Sequence, residues 1–285
     1  MARIRGTLGV LMSDPLAPPP YQPPPPLPPE WSSAPPSYRP PPPPPPAPAP
    51  RGGGIPPVLK TVLSMLFSML VLSFYMGWPF AVGFTLLILV HEIGHLVAAW
   101  RYGLQVSAPV FIPFLGAFIQ LKQEPPNAWV EAVVGIGGPL FGTAASAVPY
   151  LIYVRTGEPY FAGIAYYGFM LNLFNLAPVG TLDGGRIVTA VSTWLWIPGY
   201  AILLGLVGVQ WMQARDFNRF LNSNFLILAM LVLGLPRLFS LFRARTEREQ
   251  RYYAIPGSQR WLMGSLYFGL IALLYLGMRS IRADM

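Results

Sequence analysis

Between residues 58 and 278 the chain is a succession of apolar segments, each close to the roughly 20 residues an α-helix needs to cross the hydrocarbon of a bilayer. Lipid offers no hydrogen bonds, so a segment buried in it must satisfy its own backbone, which a helix does. The segments are 58–77, 78–100, 129–153, 161–176, 187–213, 224–242 and 261–278. The expected fold is therefore an all-α polytopic membrane protein with six to seven transmembrane helices. Segment 187–213 reads as one strongly tilted span or as two pieces broken around Pro198-Gly199. Composition agrees, since 53% of the 285 residues are hydrophobic and 11% charged, against roughly a quarter charged in soluble domains. The net charge of +8 comes from Arg and Lys beside the spans, where orientation and lipid headgroups call for it, and implies no nucleic-acid role.

Inside the second segment stands His91-Glu92-Ile93-Gly94-His95. Histidines at i and i+4 share one face of a helix, and two imidazoles there converge on one ion. A neighbouring carboxylate can take a proton from a metal-activated water. The alternative is a pair of satisfied helix histidines. Two features favour the metal: the chain has only these two histidines, and ionisable groups are costly in an apolar span and mark function by default. With no cysteine, only His, Asp and Glu remain as strong ligands.

Before the spans, residues 1–57 are proline-dominated, a composition that favours polyproline II and cannot bury a core. They read as a disordered tail whose PxxP spacings offer themselves to a proline-motif-binding partner, or as a plain linker. Residues 58–285 form the transmembrane domain, with its core at 78–186. Lys60 and the arginines of the tail precede the first span while the connection at Gly77 is uncharged, so the N-terminus is expected in the cytoplasm. Counting back from Arg101 at ~1.5 Å per residue puts the histidines roughly 9 to 15 Å below the cytoplasmic surface. The connection at 108–121 is apolar, β-branched and aromatic around Gly116, and reads as a membrane-associated β-hairpin with Pro113 in an edge strand, or as an interfacial loop.

A catalytic zinc has three protein ligands and an open position, so one more Asp, Glu or His is needed at membrane depth. Asp183 is the best placed, in the sequence Asn175-Leu-Ala-Pro-Val-Gly-Thr-Leu-Asp183-Gly-Gly, where proline and glycine break the fourth segment and the backbone must line a cavity. Two other uses remain open: Asp183 as the cap of a helix starting near Gly185, or as a partner of Arg186.

His-Glu-x-x-His on one span with Asn-x-x-Pro-x-x-x-Leu-Asp-Gly two spans later resembles the site-2 protease family of intramembrane zinc metalloproteases. The resemblance covers residues 78–186. It implies one zinc per chain on His91, His95 and Asp183, Glu92 as catalytic base, and Asn175 contacting the substrate or its oxyanion. It further implies cleavage of transmembrane protein substrates by a multi-pass protein of the lipid bilayer, in the cell membrane if the source is prokaryotic. No Lys or Arg within the spans is expected to assist at the site. Two rival readings are a catalytically silent membrane scaffold or chaperone of the same fold, which Glu92 argues against, and a metal transporter, which leaves a base between the histidines unexplained.

Overall fold

The computed structural model describes residues 56–284 apart from residue 215. The expected proline-rich tail lies, up to residue 55, outside the described residues. Among the described residues there are nine α-helices: α1 (Pro57–Met76), α2 (Trp78–Arg101), α3 (Ala128–Thr156), α4 (Pro159–Asn175), α5 (Asp183–Val191), α6 (Trp196–Gln213), α7 (Phe217–Phe239), α8 (Glu247–Tyr253) and α9 (Gly257–Asp284). Between α2 and α3 lies a hairpin of β1 (Val110–Ile112) and β2 (Gly116–Phe118).

Helix ends follow the local chemistry. α1, α2 and α4 each begin with proline in the first turn, where a missing N–H costs nothing. α1 stops at Gly77 and α3 at Gly157, both at positive φ, which glycine adopts without strain. Asn127 caps α3 by accepting from the Val130 N–H at 3.0 Å.

Among the described residues five helices are long and apolar enough to cross a membrane, and a sixth span results if the pair bent by 103° between 227–242 and 247–253 is one broken crossing. Helix α4, with 17 residues, adds an apolar element at the short end of crossing length. Within 187–213 the break falls at the extended residue Ser192, and 193–213 is one span. Pro198 does not break it, because it lies in the first turn of α6.

The hairpin forms as expected over 108–121, antiparallel, with Val110 opposite Phe118, Phe111 opposite Ala117 and Ile112 opposite Gly116. Pro113 sits in its turn rather than in a strand, since a fixed φ and absent N–H suit a turn better than a ladder. The β1 strand leans on α1: Ser64 Oγ accepts from the Phe111 N–H at 3.1 Å, and the Thr61 hydroxyl donates to the Pro109 carbonyl at 2.7 Å. The two-stranded sheet leaves β2 with a free edge. Farther along, the Ser107 N–H donates to Gln120 O at 2.8 Å and the Lys122 N–H to Gln105 O at 2.9 Å. Gln120 and Lys122 thus turn inward, and by alternation Ala117, Ile119 and Leu121 aim their backbone groups at the open side.

Helices α2 and α3 approach at Gly94 and Gly137, where a methyl on either would overlap the backbone of the other. The break after α4 is largely buried, with Thr181 exposed, and its backbone finds partners. Ala177, Val179 and Leu182 donate within their own turns at 3.0, 2.8 and 2.9 Å. Tyr267 of α9 donates to Leu176 O at 2.7 Å, and the Trp196 indole to Gly185 O at 3.0 Å.

Candidate metal centre

His91 and His95 lie on the buried face of α2, and Asp183 is the first residue of α5. The structure brings the three together. The two Nε2 atoms are 3.1 Å apart, His91 Nε2 is 3.1 Å from one Asp183 oxygen, and His95 Nε2 is 3.2 Å from the other. Neither alternative for Asp183 is realised: it follows the cap residue Leu182, and its carboxylate faces the imidazoles, not Arg186.

Hydrogen bonds from the far sides of the rings fix which atoms face inward. His91 Nδ1 is 2.8 Å from Asn172 Oδ1, and the Asn172 amide nitrogen donates to Gly168 O at 2.8 Å, so the oxygen is turned to the ring. His95 Nδ1 is 2.7 Å from the Val134 carbonyl. Both partners only accept, so each Nδ1 carries a hydrogen, and in the neutral rings that bind metal the two Nε2 lone pairs point at one another. Two lone pairs and a carboxylate at such range repel unless a cation lies among them. A tetrahedral ion with ligand bonds of ~2.0–2.1 Å separates its ligands by about 3.3 Å, close to the observed spacings. The residues present therefore fit a zinc ion, and the three form a group able to hold one.

The glycines beside this triangle set its size. A Cβ on Gly138 would collide with both imidazoles, and one on Gly142 with the Asn172 amide. Glu92 is buried next to the triangle. It lines, with His91, His95, Asp183 and Asn175, a cavity of about 220 Å³ whose wall includes Ala117 and Ile119 from the open side of the hairpin. A neighbouring cavity of about 390 Å³ also reaches His91, Glu92 and Asn175, and carries the Ser68 and Thr85 hydroxyls, both buried without a hydrogen-bond partner among the described residues.

Three contributors to the site were not anticipated. Asn172 had a signal, a polar residue in an apolar helix one turn before Asn175. The Val134 carbonyl had none, because a backbone group carries no sequence mark. Arg186 corrects the expectation that no cation stands near: α5 starts at the break, and one turn carries Arg186 from Asp183 into the wall of the same cavity.

Parts of the chain are similar to known proteins. Residues 79–159 match the model of Peptidase family M50. A zinc metalloprotease of Methanocaldococcus jannaschii is 29% identical over 109 residues, which make up 36% of this chain and 31% of that protein. A probable chloroplastic zinc metalloprotease of Oryza sativa subsp. japonica is 26% identical over 184 residues, 48% of this chain and 30% of the relative. The chain thus spans about a third of the length of the curated relatives it matches. The solved structure of a site-2 protease from Methanocaldococcus jannaschii aligns with TM-score 0.39 and 19% identity, covering 70% of this chain and 90% of that one.

Proposed function

We propose that this chain, which carries the Peptidase family M50 segment at residues 79–159 and is thereby related to zinc metalloproteases, hydrolyses peptide bonds in or near transmembrane segments of other membrane proteins. The observation that carries this reading is the meeting of His91, His95 and Asp183 beside Glu92, on the wall of a cavity that also includes an open strand edge. Zinc bound by those three residues supplies the Lewis acidity that brings a water molecule's pKa toward neutrality and polarises the scissile carbonyl.

The chain's own groups do the rest. Glu92 accepts a proton from the attacking water as the new C–O bond forms, and returns it to the amine as the C–N bond breaks. Asn172 and the Val134 carbonyl hold the imidazoles in the tautomer that leaves Nε2 free for the metal. Asn175, which lines both cavities, offers its amide to the carbonyl oxygen as negative charge builds there. The Ser68 and Thr85 hydroxyls give water or an unwound substrate backbone a polar foothold beside Glu92.

A helical substrate shields its carbonyls and must unwind to be cut, exposing backbone groups that cost several kcal/mol each in a dry environment. The edge of β2 can replace those hydrogen bonds by strand addition. In the orientation inferred from charge, the N-terminus is cytoplasmic and the site lies nearer that side, in the cell membrane if the source is prokaryotic.

Detergent-purified protein given a transmembrane peptide should cut it, lose activity to a chelator and regain it with added zinc. Binding without cleavage would favour the silent scaffold, and cleavage indifferent to chelation would refute a metal mechanism.

A further inference from the structure

Next to the metal centre a second polar cavity, of about 490 Å³, is lined by Gln120, Lys122, Glu124, Glu131, Arg186 and Arg237 among others. It shares Phe118, Ile119 and Arg186 with the cavity that holds Glu92. The outgoing strand of the hairpin therefore runs along both, and Arg186 stands where they meet. Its stem is seated on α3, where a Cβ at Gly135 would come within 3.1 Å of Arg186 Cβ.

The charges in this second cavity do not cancel. Glu131 is buried, and both its oxygens are engaged: one accepts from Arg237 at 2.8 Å and the other from the Tyr252 hydroxyl at 2.7 Å. Glu124 pairs with Arg248 at 2.6 Å. Among the described residues Arg186 and Lys122 make no ion pair within 4.0 Å and no side-chain hydrogen bond. The half-buried Arg186 guanidinium has Glu92 within electrostatic reach in the first cavity but makes no ion pair with it, and it can still take a carboxylate, because its planar fork matches one and needs little reordering.

We infer that this cavity is a specificity subsite, in which Arg186, assisted by Lys122, holds an acidic side chain of the substrate near the scissile bond. The inference rests on the proteolytic reading and adds a substrate class to it. A substrate added along the open edge at ~3.3 Å per residue leaves the first cavity near Ile119 and passes Lys122 about three residues later. The acidic residue should therefore lie within about four residues of the cut, on one side only.

The test uses the full chain and a panel of transmembrane peptides, identical except for Asp, Asn or Lys placed singly at each of five positions on either side of the scissile bond. Wild type should favour Asp over Asn by at least about tenfold in kcat/KM in one window, the size of a charge-assisted hydrogen bond, through KM more than kcat. In Arg186→Gln the ratio should fall to about one, and in Arg186→Glu the preference should pass to Lys, with zinc content held at one per chain. A wild type indifferent to Asp at every position, or an Arg186→Gln protein that keeps the full ratio, overturns the inference. If Arg186→Gln loses zinc, Arg186→Lys and Lys122→Gln replace it, and an undiminished ratio in both is equally fatal. A second arm measures fluorescence anisotropy of labelled Asp and Asn peptides on Glu92→Gln protein, which cannot cut. An Asp preference there that depends on Arg186 supports the subsite even if the wild type cleaves nothing, and its absence overturns it.

Discussion

Glu92 and Asp183 are both carboxylates beside two imidazoles, yet replacing them should have opposite consequences for metal and for chemistry. Asp183 faces both Nε2 atoms, so Asp183→Ala should lose most of the zinc, as elemental analysis would show. An alanine protein with full occupancy would refute its role as a ligand. Glu92→Gln keeps the shape of the side chain but cannot accept a proton, so zinc should stay while cleavage falls by about 10²–10⁴-fold. Asn172→Ala tests the layer behind the ligands: without its acceptor the His91 ring loses orientation, and zinc affinity should drop about 10- to 100-fold in a competition titration. His91, Glu92, His95 and Asp183 were legible because spacing on a helix and a broken span are sequence properties. What turns each ring was not, since Val134 acts through its backbone and Asn172 acts across a gap of 81 residues. Arg186 was visible only as a neighbour of Asp183, because its cavity exists only once α5 packs on α3.

At the scale of elements, the hairpin sets through its register which backbone groups of β2 face the open edge. Its existence follows from β-branched and aromatic residues around Gly116, but the side that stays open depends on α1 taking β1 through Ser64 and Thr61. Proline in β2 should therefore act by position. At Ile119 the missing N–H belongs to the open edge, so Ile119→Pro should slow cleavage by roughly tenfold with zinc retained. At Phe118 the N–H faces β1, and proline should damage the hairpin itself, read as faster proteolytic nicking of the 101–127 connection. Equal behaviour of the two variants would remove the strand-addition account. The same reasoning explains why the break in 187–213 was misplaced at Pro198: proline interrupts a helix interior but not a first turn, and only the packing of the short α5 put the turn there.

For the whole molecule, the burial of the site, on the proposed proteolytic reading, sets what can be a substrate. His91, Glu92, His95 and Asn172 are buried, and on the proposed reading a peptide reaches Glu92 in extended form beside the hairpin. On that reading a transmembrane helix must give up several backbone hydrogen bonds to arrive, and strand addition would return only some of them. The residual cost depends on the substrate's own helix propensity. Glycine destabilises a helix interior by about 1 kcal/mol relative to alanine, and proline by about 3 kcal/mol. One such residue in the third of the segment nearest the cytoplasm should raise kcat/KM over a uniform leucine segment by about fivefold for glycine and more than tenfold for proline, unless proline falls where the edge needs an N–H donor. The same residues at the far end should have little effect, because that part of the helix stays wound. The comparison requires peptides of matched affinity for Glu92→Gln protein, so that the difference reports unwinding and not docking. Equal rates for leucine and glycine segments at matched binding would mean that unwinding is not limiting, and that the open edge of β2 serves some other purpose.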